Sequence, residues 1–178
     1  LRRRQRQMCI RDRYPIKLYV SMRNGREYVL GHVSGAAGLD FIRVDRIKKV
    51  KTGIRCDEYQ KFENEYQANK SYLWGVSSGS AKDITHIEMT VRAAEGEEFI
   101  VRRLEREKRN GHVYKITDQQ YKYVVDTYDA MELMPWIRTF MGRIEKLESS
   151  NPQLKKKFDQ DMEQLYSMYF GEAQNDIS

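Results

Sequence analysis

The sequence is poor in residues that staple or plate a small fold. Its 178 residues hold two cysteines, Cys9 and Cys56, too few for a disulfide framework and without the paired spacing of a zinc site. A reducing, intracellular compartment is therefore expected, with no structural metal and no cofactor. Apolar runs are short: stretches such as Glu98-Phe99-Ile100-Val101 fall far below the roughly 20 residues of a membrane helix, and no apolar signal core follows the N-terminal arginines. The expectation is a soluble, cytoplasmic protein with no membrane partner. Histidine is scarce as well. His32, His86 and His112 fall singly in distant segments, with no HExxH, GxSxG or GxxxxGK[ST] motif and no Cys–His pairing, an inventory that argues against an enzyme.

What the chain does have is charge, unevenly spread. The net +6 divides into a leader, residues 1–13, with six arginines against Asp12, a basic stretch over 14–55 with nine Lys/Arg against three acids, and an acidic remainder. The leader has no apolar periodicity. It reads either as a disordered basic arm for nucleic acid or, the reading preferred here, as a non-native leader, since Met8-Cys9-Ile10-Arg11-Asp12-Arg13 resembles translated sequencing adapter. A length of 178 residues with 40% hydrophobic content supports one ample core or two small ones.

Alternation over 16–20, an Asn24-Gly25 turn signal, and extended character over 27–30 predict a β-hairpin. After a glycine-bearing loop over 34–40, a third strand is expected over 41–47, continued by 48–51 toward a Thr52-Gly53 turn and placing Phe41, Arg43, Asp45 and Ile47 on one face and Ile42, Val44 and Arg46 on the other. Short strands with tight turns point to a small curled sheet or barrel over 14–55. Tyr59, Phe62 and Tyr66 at helical spacing predict a linker helix within 56–71. From 72 to 178 the expected order is a strand over 84–92, a helix over about 95–109, strands over 113–116 and 121–127, a helix capped by Asp129 and running through Pro135 to Phe140, a strand over 143–147, and a terminal helix over 151–170. That β-α-β-β-α-β order is the split βαβ arrangement of a ferredoxin-like sandwich, so the fold class is α+β.

Gly25-Arg26-Glu27-Tyr28-Val29-Leu30 and Phe41-Ile42-Arg43-Val44-Asp45-Arg46-Ile47 resemble the two signature blocks of the WYL-domain transcription regulators. Tyr28 keeps the tyrosine of the first block, while Glu27 and Val29 stand where tryptophan and leucine are common. The remainder, notably 98–108 and 135–144, is similar to the C-terminal extension of that family. The resemblance implies a Sm-like or SH3-like barrel, incomplete at its N-terminus, followed by the sandwich. It also implies an effector-sensing role, with operator DNA contacted only through a helix-turn-helix missing from this chain.

In such proteins basic residues beside the signature tyrosine take nucleic-acid strands or nucleotide-like effectors. The resemblance thus nominates Tyr28, Arg43 and Arg46 as a ligand-binding rim, with His32 and Lys17 as weaker candidates. The partner is single-stranded nucleic acid or a small phosphorylated effector. Guanidinium forks hold phosphate bidentately, and an aromatic face stacks on a base. The plainer alternative packs Tyr28 in the core and pairs Arg43 with Asp45 or Glu27. The second basic cluster, Arg102, Arg103, Arg106, Lys108 and Arg109, is interleaved with Glu97, Glu98, Glu105 and Glu107 and reads as a salt-bridged solvent face. The terminal helix buries its Leu/Phe/Met stripe either in its own core or against a second subunit, which would make a homodimer. A stand-alone Sm-like RNA-binding protein is the alternative to the regulator.

Overall fold

Strands β1 (Arg13–Val20) and β2 (Glu27–Val33) form the expected hairpin, with Val20 opposite Glu27. In this computed structural model, which describes residues 12–21, 24–35 and 38–171, the hairpin loop is wider than a two-residue turn. The Ser21 N–H donates to the Arg26 carbonyl, the Gly25 N–H donates back to Ser21, and Gly25 takes the left-handed φ of 67° that the bend requires. Most of the expected leader lies outside the described residues. Its last residue is ordered, because Arg13 opens β1 opposite Val33.

β3 (Leu39–Arg43) completes a three-stranded antiparallel sheet in the order β1-β2-β3. It ends earlier than the alternation predicts: residues Val44–Arg46 turn into a short 3-10 helix, closed by the Ile47 N–H on the Val44 carbonyl. The face assignments for Val44, Asp45, Arg46 and Ile47 and the continuation over 48–51 are thereby corrected, since past Arg43 there is no pleat to alternate on.

Helix α1 (Tyr59–Asn69) lies on this sheet through Phe62 and Tyr66, both buried. Leu30 is fully buried beneath it, the Tyr59 hydroxyl donates to the Pro15 carbonyl, and the Tyr19 hydroxyl donates to that of Tyr66 at 3.2 Å. The chain divides into two units between Asn69 and Lys70, so α1 groups with the first sheet. The helix covers the sheet face of Tyr19 and Leu30, on which Tyr28 is only half-buried. The opposite face leaves Leu18 72% exposed and Val20 56% exposed. Gly31 has no room for a side chain: a Cβ there would stand 2.4 Å from the Tyr14 carbonyl oxygen.

The second unit holds β4 (Thr85–Arg92), α2 (Glu98–Glu107), β5 (His112–Lys115), β6 (Gln120–Thr127), α3 (Met134–Arg138), β7 (Ile144–Ser149) and α4 (Pro152–Phe170). Its four strands pair antiparallel in the order β5-β6-β4-β7. β4 alternates cleanly, burying Thr85, Ile87, Met89 and Val91 and turning His86 and Arg92 outward. Against the inner face pack Ile100 and Leu104 of α2, Met134 and Ile137 of α3, and Leu154 and Phe158 of α4. The helix expected from Asp129 to Phe140 is broken. Asp129 caps only the 3-10 turn Ala130–Glu132, and α3 starts afresh around Pro135, whose missing N–H suits a first turn and not a helix interior. Trp74, Tyr123, Trp136 and Phe140 form an aromatic cluster at the centre of this core, with ring centroids 5.1–6.3 Å apart.

The molecule is thus α+β, with two antiparallel sheets of three and four strands and four helices among the described residues. None of the described helices is long and apolar enough to cross a membrane.

Candidate nucleic-acid or phosphate interface

Directly opposed residues of neighbouring strands share a face, and the first sheet uses this to assemble a row. Tyr28 of the central strand stands opposite Tyr19 of β1 and Arg43 of β3. Phe41, two residues from Arg43 and on the same face, meets Tyr19 edge-on at 5.3 Å and Tyr28 edge-on at 6.4 Å. Tyr28 is half-buried. Its neighbour Tyr19 is pushed toward the neutral phenol by burial and by its hydrogen bond with Tyr66.

Arg43, whose side chain is 21% exposed, is engaged by Asp45: Nε donates to Oδ1 at 3.0 Å and Nη2 to Oδ2 at 2.5 Å. The pair holds the guanidinium charged and the Asp45 carboxyl below the usual carboxylate range, and the positive charges of Arg26 and Arg46 add to the latter. The plainer alternative for Arg43 is therefore present in the structure, with Asp45 and not Glu27 as the acid. Arg46 sits exposed on the 3-10 turn, off the sheet. The chain beyond it, residues 48–55, is an exposed coil carrying Lys48, Lys49, Lys51 and Arg55.

The weaker candidates part from this rim. His32 lies four residues from Tyr28 along β2, about 13 Å at the rise of a strand. Its ring stacks on Phe62 of α1 at 4.2 Å, tilted by 9°, and its buried Nδ1 makes no hydrogen bond, standing 3.7 Å from Glu65 Oε2. Lys17 is exposed and places its ammonium 5.6 Å from the Tyr66 ring centre. An open groove of about 620 Å³ runs beside Lys17, between Pro15–Leu18 of β1 and Glu63, Tyr66 and Gln67 of α1. It includes neither Tyr28 nor Arg43. The structure thus brings together Tyr28 and Arg43, with Arg46 nearby, and sets His32 and Lys17 against the helix.

Helix α2 offers no comparable surface. Arg103 pairs with Glu107 at 3.0 Å, Lys108 pairs with Glu105 at 2.7 Å, and Arg109 donates to the Trp74 carbonyl at 2.6 Å. Sequence reasoning missed two features. One is the Tyr19–Tyr28–Arg43 row, which only strand register reveals. The other is the outward face of β4, where His86 lies 2.7 Å from Asp126 and 3.4 Å from Glu88, itself paired with Lys122 at 3.0 Å. The described residues contain no group of three His, Cys, Asp or Glu side chains placed to hold a metal ion.

Fold and site together define a two-unit α+β protein with a basic and aromatic rim on its smaller sheet. Compared with protein-family models and with curated proteins, the chain has no match.

Proposed function

We propose that this chain is the ligand-sensing part of a WYL-type bacterial transcription regulator, and that its rim of Tyr28, Arg43 and Arg46 takes a phosphate-bearing ligand, either a nucleic-acid strand or a nucleotide-like effector. The observation that carries this reading is the direct opposition of Tyr28 and Arg43 on one sheet face, beside a turn and coil rich in Arg and Lys. A guanidinium fork matches the oxygens of a phosphate, and a neighbouring aromatic ring stacks on a base for about 1–3 kcal/mol. Such a site binds and needs no catalytic group, so the chain is read as a non-enzyme acting in the cytoplasm.

The remaining architecture agrees with the same reading. A three-stranded antiparallel hairpin sheet fits part of a Sm-like or SH3-like barrel. The chain order β-α-β-β-α-β with the sheet order β5-β6-β4-β7 fits a ferredoxin-like sandwich. Operator contact would belong to a helix-turn-helix and not to these two units. A homodimer is supported by α4. Its first half buries Leu154 and Phe158, while Leu165, Tyr166, Met168, Tyr169 and Phe170 are exposed.

The test is binding of a labelled single-stranded oligonucleotide across a salt series, together with a mass measurement in solution. Affinity that falls steeply with salt, from a monomer or dimer, supports the regulator reading. A hexamer or heptamer with the same affinity points instead to a stand-alone Sm-like RNA-binding protein. Absence of binding by the folded chain to both the oligonucleotide and inorganic pyrophosphate overturns the site.

A further inference from the structure

Arg43 and Asp45 differ in how they meet solvent. The Arg43 side chain, with its stem on the sheet, is 21% exposed, whereas the Asp45 side chain whose carboxylate covers its Nε–Nη2 edge is 57% exposed. The acid is thus the outer, replaceable partner. It is also dispensable to the local backbone. The 3-10 turn is closed by the Ile47 N–H on the Val44 carbonyl with no side-chain cap, and the hydrogen bonds of Asp45 run to Arg43. Arg26 and Arg46 direct further positive charge at the same carboxylate. Asp45 thus pairs with Arg43 alone and feels the positive charge of Arg26 and Arg46 beside it.

We infer that Asp45 is an internal stand-in for the ligand's anion: it occupies the two-donor edge of Arg43 in the free protein, and a phosphate group must displace it to bind, so Asp45 sets the affinity of the rim. This rests on the reading of the rim as a phosphate site. A carboxylate and a pair of non-bridging phosphate oxygens present the same two acceptors to a guanidinium, so one can replace the other without moving Arg43. The exchange is uphill for a singly charged anion, which only restores the pair it breaks. It is favourable for a ligand with several phosphate charges, because Arg26 and Arg46 are then engaged as well. The released Asp45 side chain, already more than half exposed, returns to water.

The experiment compares binding of a fluorescein-labelled oligothymidylate to the full chain and to Asp45→Asn, with Glu58→Gln as a control that removes one charge from the same unit. Asp45→Asn is expected to tighten binding about two- to fivefold, the factor that corresponds to losing one competing exposed ion pair. Glu58→Gln is expected to change it less, and the gain from Asp45→Asn should vanish in an Arg43→Ala background. Competition by inorganic pyrophosphate separates the two sources of phosphate: displacement at low concentration identifies a small effector, and resistance to it identifies a strand.

Unchanged or weaker binding by a folded Asp45→Asn, with the parent chain binding, overturns the role of Asp45 and leaves the rim standing. A gain that persists without Arg43, or that Glu58→Gln reproduces, overturns it in favour of a general charge effect. Loss of fold in both Asp45→Asn and Asp45→Ser, read by circular dichroism, shows a structural residue and overturns it too. No binding by the parent chain removes the underlying reading instead.

Discussion

The ring of His32 lies parallel to that of Phe62, 4.2 Å away and tilted by 9°, with its Nδ1 buried and 3.7 Å from Glu65. This places His32 in the seam between β2 and α1. Phe62→Ala should destabilise the first unit by about 3–5 kcal/mol, the range for a buried phenylalanine. Urea unfolding followed separately for the two units checks this, with the transition of the second unit unmoved. His32→Gln should leave oligonucleotide affinity unchanged, and a large loss of affinity in the folded variant would bring His32 back into the site.

The second unit depends on the first half of α4. Leu154 is fully buried against the sheet, Asn151 caps the helix by accepting from the Gln153 N–H, and Arg138 of α3 holds Asp161 at 2.6 Å. Leu154→Ala should cost about 2–5 kcal/mol. Arg138→Ala, breaking a pair with a half-exposed cation, should cost no more than about 1 kcal/mol. Thermal unfolding of the two variants separates packing from charge.

His86 gives the second unit a pH dependence with a defined sign. Its hydrogen bond to Asp126, aided by Glu88, raises its pKa above the ordinary value. A raised folded pKa means that the stabilisation is fully present below the unfolded value of about 6.5 and is lost as pH rises through the folded one. The side chain is 49% exposed, so screening keeps the effect below about 1 kcal/mol. Unfolding free energies measured across about pH 5 to 8 should fall on the alkaline side, and His86→Gln should flatten that part of the profile.

The exposed end of α4 carries the prediction about assembly. Tyr169 and Phe170 are 75% and 62% exposed, on a helix whose first half is packed. If this end pairs with a second copy, Tyr169→Glu should shift sedimentation from dimer to monomer while leaving the melting temperature of the second unit in place. Unchanged sedimentation of a dimeric variant would move the interface elsewhere.

Period-two and helical spacing located most elements because those signals are local. β4 reads directly, with Ile87, Met89 and Val91 inward and His86 outward. β1 shows why faces are harder. Its alternation of Ile16, Leu18 and Val20 marks a strand, yet α1 covers the face of Tyr19, through a hydrogen bond to Tyr66 that spans 47 residues of sequence. Local pattern carries no information about that. The third strand overran for a related reason: alternation continues through Asp45 and Ile47 in the sequence, but the chain turns at Val44 and Asp45 folds back onto Arg43. Of the proposed site, Tyr28 and Arg43 were nominated by the two sequence blocks. Their direct opposition, and the carboxylate already seated on Arg43, depend on register and turn geometry that no residue type announces.

The rim is tested most directly by the salt dependence of oligonucleotide binding in the Arg43→Ala, Arg46→Ala double variant, with folding verified by circular dichroism. Each arginine should contribute about 1.5–3 kcal/mol, the range for hydrogen bonds to charged groups, and the log–log salt slope should become shallower as phosphate contacts are lost. The account predicts a folded variant with binding weakened by at least tenfold and a reduced slope. A folded double variant that binds with the parent affinity and the parent slope would contradict it.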